Sequence, residues 1–571
     1  MQTAPATLAG SPPAARTVTD APHTPAARPR ARRWAAWATP GRLVGAAILL
    51  GVLVRAALVL ASDFPLNDGA LFLEMSRAIR AAHYHLPPTV AYNGVDIPFG
   101  YSPFAFYLVA ALHDTVGLDL IQALRVVPLL ATSACVLAFA AFARDVLPRV
   151  AAGVTRTEPA LVGAVLAFAL LPRSYSWLIM GGGLTRSIGF LFAILAIHQA
   201  FLLYTRAGWK HAVLLGLFAA LTVLSHLGTA PFAAFSIALM FAAYGRHRVG
   251  VLGSAVALAV TLAIAAPWAA SVVAHHGWAP FVAARSTGGN VFDGGVVRWT
   301  ISMRIAMLGM GDTGEPLFPL IGAVALFGAV ASARARQLVL PCWMGLIFLL
   351  EARAPGTYAT VPVALLAGIG IAAVLWPAIF PAGTADSRVG LRATRWESWA
   401  VVAALLAYVL AGAVARSPSL SGDGQLLRGL PPDERAAMAW VSRSTPADAR
   451  FLVLTGPGHV NVWGDRVSEW FPTLARRVSV ATLQGREWIN DGTFTRREAE
   501  YIQLQACAPG NGACLDQWAR AAGTSYTHVF VSKERSFVAV APLMSALRSD
   551  PAFVVVYDGP GALVVARRGP T

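Results

Sequence analysis

The run Ala61-Ser62-Asp63-Phe64-Pro65-Leu66-Asn67-Asp68-Gly69-Ala70-Leu71-Phe72-Leu73-Glu74-Met75 follows directly on an apolar stretch. It sets three carboxylates, Asp63, Asp68 and Glu74, where the apolar residues end. A carboxylate beside a lipid-accessible cleft can work as a general base, taking a proton from a hydroxyl or an amide. Asp68 equally fits the N-terminal end of a helix, because Leu71, Phe72, Met75 and Ile79 share one helical face, and an acid at such an end caps the helix and favours its dipole. A second group is cationic. Leu171-Pro172-Arg173 precedes Gly181-Gly182-Gly183-Leu184-Thr185-Arg186. The glycines let backbone approach a ligand, and Arg186 stands near the start of a helix whose N-terminus attracts anions, phosphate being the obvious one. Arg186 equally suits a Gly-rich turn with its side chain snorkelling to the interface. His226, in the turn Ser225-His226-Leu227-Gly228-Thr229, reads as a contact to sugar or phosphate or as a hydrogen-bonded structural histidine. A third group, Glu469, Trp470, Arg477 and Trp488, combines the aromatic faces and forked guanidiniums that suit sugars and phosphates, with core and surface roles as the competing assignment.

The elements that must hold these residues are mostly apolar. Of 571 residues, 56% are hydrophobic and 13% charged, which excludes a soluble protein of this size. A spanning helix needs ~20 mostly apolar residues, and candidate spans fall at 41–61, 119–143, 158–172, 184–205, 211–226, 229–244, 250–273, 316–333, 337–352, 357–380 and 398–416. That is about eleven crossings. Residues 101–117 are also apolar, but counting them as a span would turn every later arginine cluster outward. They are therefore read as a helix lying at the outer interface or re-entering the bilayer. The formal charge of +16 has the same explanation, since Arg and Lys collect in cytoplasmic loops. Nucleic-acid binding is excluded because the cations are spread between apolar runs and not clustered with aromatics.

The resulting organisation has three parts. A disordered cytoplasmic tail over 1–40, rich in Ala, Pro and Thr, ends in Arg28, Arg30, Arg32 and Arg33. A transmembrane domain over 41–416 carries outer loops at 62–118 and 275–315, the second read either as a solvated loop or as a substrate lid. An extracytoplasmic domain over 417–571 alternates apolar strands (451–454, 528–531, 553–557, 562–566) with amphipathic helices (432–444, 495–505) and reads as α/β. Cys507 and Cys514 flank a turn-rich Ala-Pro-Gly-Asn-Gly-Ala loop; a disulfide suits an exterior location, free thiols are the alternative, and no neighbouring His or Cys completes a zinc site. The N-terminus is expected in the cytoplasm and the C-terminal domain outside the cell membrane.

The Asp68-Gly69-Ala70-Leu71-Phe72 pattern in a first outer loop resembles the GT-C superfamily of membrane glycosyltransferases. So does Pro98-Phe99-Gly100-Tyr101-Ser102-Pro103-Phe104-Ala105-Phe106-Tyr107, which is similar to their Y-P-P-L-Y segment. The order of a helix, a strand and then Trp463-Gly464-Asp465 is similar to the approach to the W-W-D-Y-G motif of the oligosaccharyltransferase catalytic subunit, though the residue order differs, so a peptide sequon acceptor does not follow. The resemblance covers residues 40 to 490 through short motifs; dolichyl-phosphate mannosyltransferases are similar at the same distance. It implies a helical polytopic fold of GT-C type, a polyprenyl-phosphate-linked sugar as donor, and inverting transfer to an extracytoplasmic glycan, lipid or protein. It implies Asp68 as base or its partner; Asp63 and Glu74 are the neighbouring carboxylates of the same loop, and Arg186, Arg173 and His226 are read toward the donor phosphate from their own residue types and positions. No Asp-x-Asp occurs in the outer loops, so metal-independent transfer is favoured and a divalent cation, Mg or Mn, stays open. The rival functions are a transporter or flippase of lipid-linked material, which commonly shows inverted repeats and midplane charges not found here, and a non-catalytic membrane assembly protein. Sugar, linkage, acceptor and oligomeric state are not written in the sequence.

Overall fold

A computed structural model describes residues 39–287, 315, 319–351, 354–379, 395–415, 427–456, 464–533 and 540–568. Most of the expected lid loop, and Trp463, lie outside these residues.

Among the described residues, five helices are long and apolar enough to cross a membrane: Pro40–Leu60 (α1), Leu120–Val150, Gly183–Arg206, Leu227–Gly245 and Arg248–His276. Each covers a span expected from the sequence. The other expected spans fall on shorter apolar helices, Thr157–Leu170, Trp209–Ser225, Leu320–Arg334, Val339–Leu350, Thr360–Leu375 and Val402–Ala411. Small residues let these helices approach closely. A Cβ on Gly328 would meet the Leu366 carbonyl oxygen at 1.9 Å, and one on Gly368 the Ala160 oxygen at 2.2 Å, the close backbone contact that substitutes for hydrophobic driving force in lipid.

The segment 62–118 is built as the pattern of apolar residues requires. Ala70–Ala81 (α2) is an amphipathic helix whose Leu71, Phe72, Met75 and Ile79 are all buried. A hairpin of Thr89–Tyr92 (β1) and Val95–Pro98 (β2) follows, which the sequence reading did not foresee. Phe104–Val116 (α3) is an apolar helix of 13 residues.

The C-terminal segment forms a five-stranded mixed sheet in the order β4-β3-β5-β7-β6, with β3 at Arg450–Leu454, β4 at Val478–Ser479, β5 at His528–Ser532, β6 at Phe553–Asp558 and β7 at Ala562–Arg567. β3 is parallel to β4 and β5, whereas β7 is antiparallel to both β5 and β6. Alternate side chains along each central strand go to opposite faces. Leu452, Leu454, Val529, Val531, Leu563 and Val565 pack under the outer helices with Leu504, Leu515 and Leu543. Phe451, Val453, Phe530 and Val564 join Leu71, Met75, Ile79 and Phe106 of the first outer loop in a second core. The sheet therefore shares its inner core with α2 and α3. Cys507 and Cys514 form a disulfide with Cα atoms 5.8 Å apart, joining the helix Phe494–Gln505 to Gly512–Ala521. Cys135 is buried within its span.

Candidate active site

Asp68 does not cap its own helix. Its Oδ1 accepts the Gly182 backbone N–H at 2.7 Å, and its Oδ2 accepts from Arg186 Nη2 at 3.1 Å. Gly182 immediately precedes Gly183–Arg206 (α6), so a carboxylate from the loop after α1 sits at the start of a long apolar helix, where the dipole favours an anion. Gly182 makes the approach sterically feasible: a Cβ there would lie 2.3 Å from Asp68 Oδ2. The glycine-rich turn thus approaches a carboxylate of this chain, where the sequence alone suggested a ligand. Leu66 and Gly181 add a backbone bond of 2.8 Å that fixes the loop against the turn. The Arg186–Asp68 pair is largely withdrawn from solvent, with 13% and 18% of the side chains exposed, so it is screened less than a surface pair.

The cap of α2 comes from the far end of the chain. Glu469, in the helix Arg466–Ala475, accepts the Gly69 and Ala70 N–H groups on Oε1 at 2.8 and 3.1 Å. The Gly69 backbone, at φ 125°, is in a region that favours glycine and turns the chain between Asp68 and α2. Burial, and then the charge of Asp68, hold the Glu469 carboxyl well above the usual carboxylate range. Two acids therefore face the same turn in different states of solvation, one ion-paired and one buried. Trp470 is fully buried; its indole N–H donates to the Asn67 carbonyl at 3.1 Å and its ring meets Phe64 edge-on at 4.6 Å. It shapes the loop beneath Asp68 and has no surface left for a sugar, which corrects its expected role.

Arg186 also lies over the Trp177 ring at 4.5 Å, and Trp177 meets the His226 ring at 6.4 Å. His226 shares a hydrogen bond with Thr229 Oγ1 at 2.8 Å, and Thr229 with the Tyr358 hydroxyl at 3.0 Å. His226 is thus two ring contacts from the Asp68–Arg186 pair. Arg173 lies in the turn Pro172–Ser174, which is tied to α1 from within the membrane domain: Arg55 donates to Ser174 Oγ at 2.9 Å and to the Ala169 carbonyl at 2.8 Å.

Four other expected site residues are placed elsewhere. Asp63 is two-thirds exposed and pairs with Arg435 of the C-terminal segment. Glu74 lies on the outer side of α2 in an i,i+3 pair with Arg77 at 2.8 Å. Arg477 donates to the Ser442 and Thr445 carbonyls at 3.0 and 2.6 Å, satisfying the end of the helix Pro432–Ser444, a structural job that occupies its fork. Trp488 packs on Tyr101 at 4.5 Å and over Gly100, where a Cβ would lie 2.5 Å from its ring, so it is a support of the Tyr101 segment. Tyr101 in turn donates to Glu487 at 3.2 Å, a contact that sequence reading missed; the acid next to a predicted aromatic was its only signal.

No family model matches the chain, and no curated relative matches its sequence. Solved structures do match by shape. The oligosaccharyltransferase AglB of Archaeoglobus fulgidus, solved with an inhibitory peptide and a dolichol-phosphate, aligns with a TM-score of 0.54 at 13% identity over 86% of this chain and 70% of that one. Its apo form gives 0.52 at 14% identity over 86% and 69%. The chain has the GT-C fold. A further match of lower score, 0.49, is ArnT from Cupriavidus metallidurans, at 16% identity over 95% of this chain and all of that one. The expectation of a membrane-embedded GT-C architecture therefore holds, and the helices and loops described above are its elements here.

Among the described residues, no three His, Cys, Asp or Glu side chains converge as metal ligands. At Asp68 both oxygens are already taken by an arginine and a backbone N–H, and Glu469 Oε1 by two more N–H groups. A hard divalent cation wants several free carboxylate oxygens, and this donor set does not fit one while Arg186 holds its position.

Proposed function

We propose that the protein is a glycosyltransferase that moves a sugar from a polyprenyl-phosphate donor to an extracytoplasmic acceptor. The observation that carries this reading is the Asp68–Arg186 pair at the N-terminus of α6. An acceptor hydroxyl attacks the anomeric carbon, its proton passes to Asp68, and the bond from that carbon to the phosphate oxygen breaks with its electron pair leaving on polyprenyl phosphate. Arg186, reaching from Asp68 toward the leaving group, meets the developing charge on phosphate at the positive end of the helix dipole, with Arg173 as a second cation. A single displacement of this kind inverts the anomeric centre. The fold match to a structure that contains a dolichol-phosphate supports a lipid phosphate as leaving group. In this reading eleven helices cross the cell membrane, the 1–40 tail is cytoplasmic, and the 417–571 domain closes over the acceptor side outside.

The test is incubation of the purified protein with a panel of polyprenyl-phosphate sugars, measuring release of polyprenyl phosphate. Asp68→Asn keeps the shape and the Gly182 contact but cannot take a proton, and its rate should fall by ~10²- to 10⁴-fold. Near-normal turnover in Asp68→Asn would end the assignment of the base, and no release from any donor in the wild type would end the transferase reading.

A further inference from the structure

A cavity of about 290 Å³ opens on the C-terminal segment, where the tip of the β1–β2 hairpin meets the edge strand β4. It is separate in its lining from the Asp68 site and is bordered by three arginines, Arg450, Arg486 and Arg497, against one acid, Glu500. Their hydrogen bonds leave much of this charge unspent. Arg450 donates through Nε and Nη2 to Ser525 and Thr524, and Arg497 through Nε to Thr493. Among the described residues, Arg486 has no side-chain hydrogen bond or ion pair within bonding distance. Burial, and then the proximity of Arg497, press its pKa downward, against the opposing pull of Asp491, so two cations stand close together with one nearby acid between them and solvent. The nearby Asp491 spends one oxygen on the Thr493 N–H and hydroxyl, and Glu500 pairs with the exposed Arg496 at 3.5 Å. The remaining walls suit a sugar. Thr524 offers a hydroxyl, and Trp518 an aromatic surface fixed by its indole bond to the Glu500 carbonyl at 2.7 Å. The walls are held in register by Asn93, which donates to the Ser479 carbonyl and accepts the Ser479 N–H at 2.9 and 2.8 Å.

We infer that this cavity is a second saccharide site, selective for a sugar that bears a carboxylate or a phosphate. Its size is at the lower end of small-molecule pockets, enough for one or two sugar units, and forked guanidiniums match both anions. It rests on the transferase reading only for its purpose, which is to hold an anionic unit of the acceptor glycan away from the reacting end. The turn Arg486–Trp488 belongs to both regions, since Arg486 borders the cavity while Glu487 and Trp488 support Tyr101.

The test is binding, so a chain without transferase activity would still report on it. Full-length protein in detergent is titrated by calorimetry with glucuronic acid, glucose 6-phosphate, glucose and inorganic phosphate. Tighter binding of one or both charged sugars than of glucose, by about tenfold or more, is expected, as is loss of that preference in Arg486→Gln/Arg497→Gln and its retention in Arg486→Lys. Glucuronic acid alone would identify a carboxylate site, and glucose 6-phosphate alone a phosphate site. Equal binding of charged and neutral sugars, binding of none of them, inorganic phosphate binding as tightly as the sugar phosphate without any response to glucuronic acid, or a preference that survives the double substitution would each overturn the inference.

Discussion

Glu469→Ala should loosen the first outer loop more than any other single truncation on the inner side of the C-terminal sheet. The carboxylate oxygen Oε1 is the acceptor for two N–H groups at the start of α2, and both Ala70 and Glu469 are buried. Removing it leaves two inward-facing donors. An unmade buried hydrogen bond costs roughly 1–3 kcal/mol, and water entering the vacated space holds the pair to the lower part of the sum, about 2–4 kcal/mol. Glu469→Gln keeps the acceptor oxygen and removes the charge, so it should fold at least as well as wild type near neutrality. The pH dependence has a definite sign. Because burial and Asp68 raise the Glu469 pKa in the folded state, the stability it contributes is complete below the ordinary glutamic acid value of about 4.3 and is lost as the pH rises toward the raised value. Wild-type melting temperature should therefore decline over that window more steeply than that of Glu469→Gln. Scanning fluorimetry of the detergent-solubilised protein at a series of pH values reads both effects. If Gln destabilises as much as Ala, the hydrogen-bond argument fails; if the pH slopes of wild type and Gln coincide, the burial argument fails.

Other substitutions separate the site from its supports. Gly182→Ala forces a methyl against the Asp68 carboxylate and should lower transfer by at least tenfold while the protein stays folded, since the side chain can swing away only by giving up its Gly182 and Arg186 contacts; unchanged turnover would show that this geometry is dispensable. Arg477→Ala should cost about 1–3 kcal/mol through the orphaned helix-end carbonyls and leave the acceptor KM alone, and a raised KM in a stable variant would restore Arg477 to the sugar site. Opening the Cys507–Cys514 bridge by double Ser substitution should remove about 2.5 kcal/mol by the loop-closure relation for a ring this small, read as a lower denaturant midpoint of the C-terminal signal. For the proposed orientation, a membrane-impermeant thiol reagent applied to intact cells should miss Arg246→Cys and reach a cysteine placed at exposed Arg496, and the reverse pattern would invert the topology.

Where local physics decides, the sequence was sufficient. Spanning helices follow from apolar windows, since a buried or lipid-facing helix needs nothing from distant residues to satisfy its backbone. The 3.6-residue period placed the buried face of α2 at Leu71, Phe72, Met75 and Ile79, and short apolar runs between amphipathic stretches placed the strands at 451–454 and 528–531 close to where they stand. The seven-residue step from Cys507 to Cys514 was short enough to read as a bridge. What needed the tertiary structure was the choice of partners. Asp68 beside a plausible helix start looked like the cap of α2, yet it binds the N-terminus of α6, 114 residues away, while α2 is capped by Glu469 from 400 residues away. Asp63, Glu74 and Asp68 are alike in a linear reading, and only packing sends one to Arg435, one to Arg77 and one to Arg186. Trp470 and Arg477 carry the residue types of a sugar site and serve as core and helix end, because an indole or guanidinium bonds to whichever carbonyl the fold brings within about 3 Å. Propensity and hydrophobic period are properties of a few consecutive residues, whereas a charge pairs through space, so chain order reveals the elements and only their packing reveals which acid meets which base.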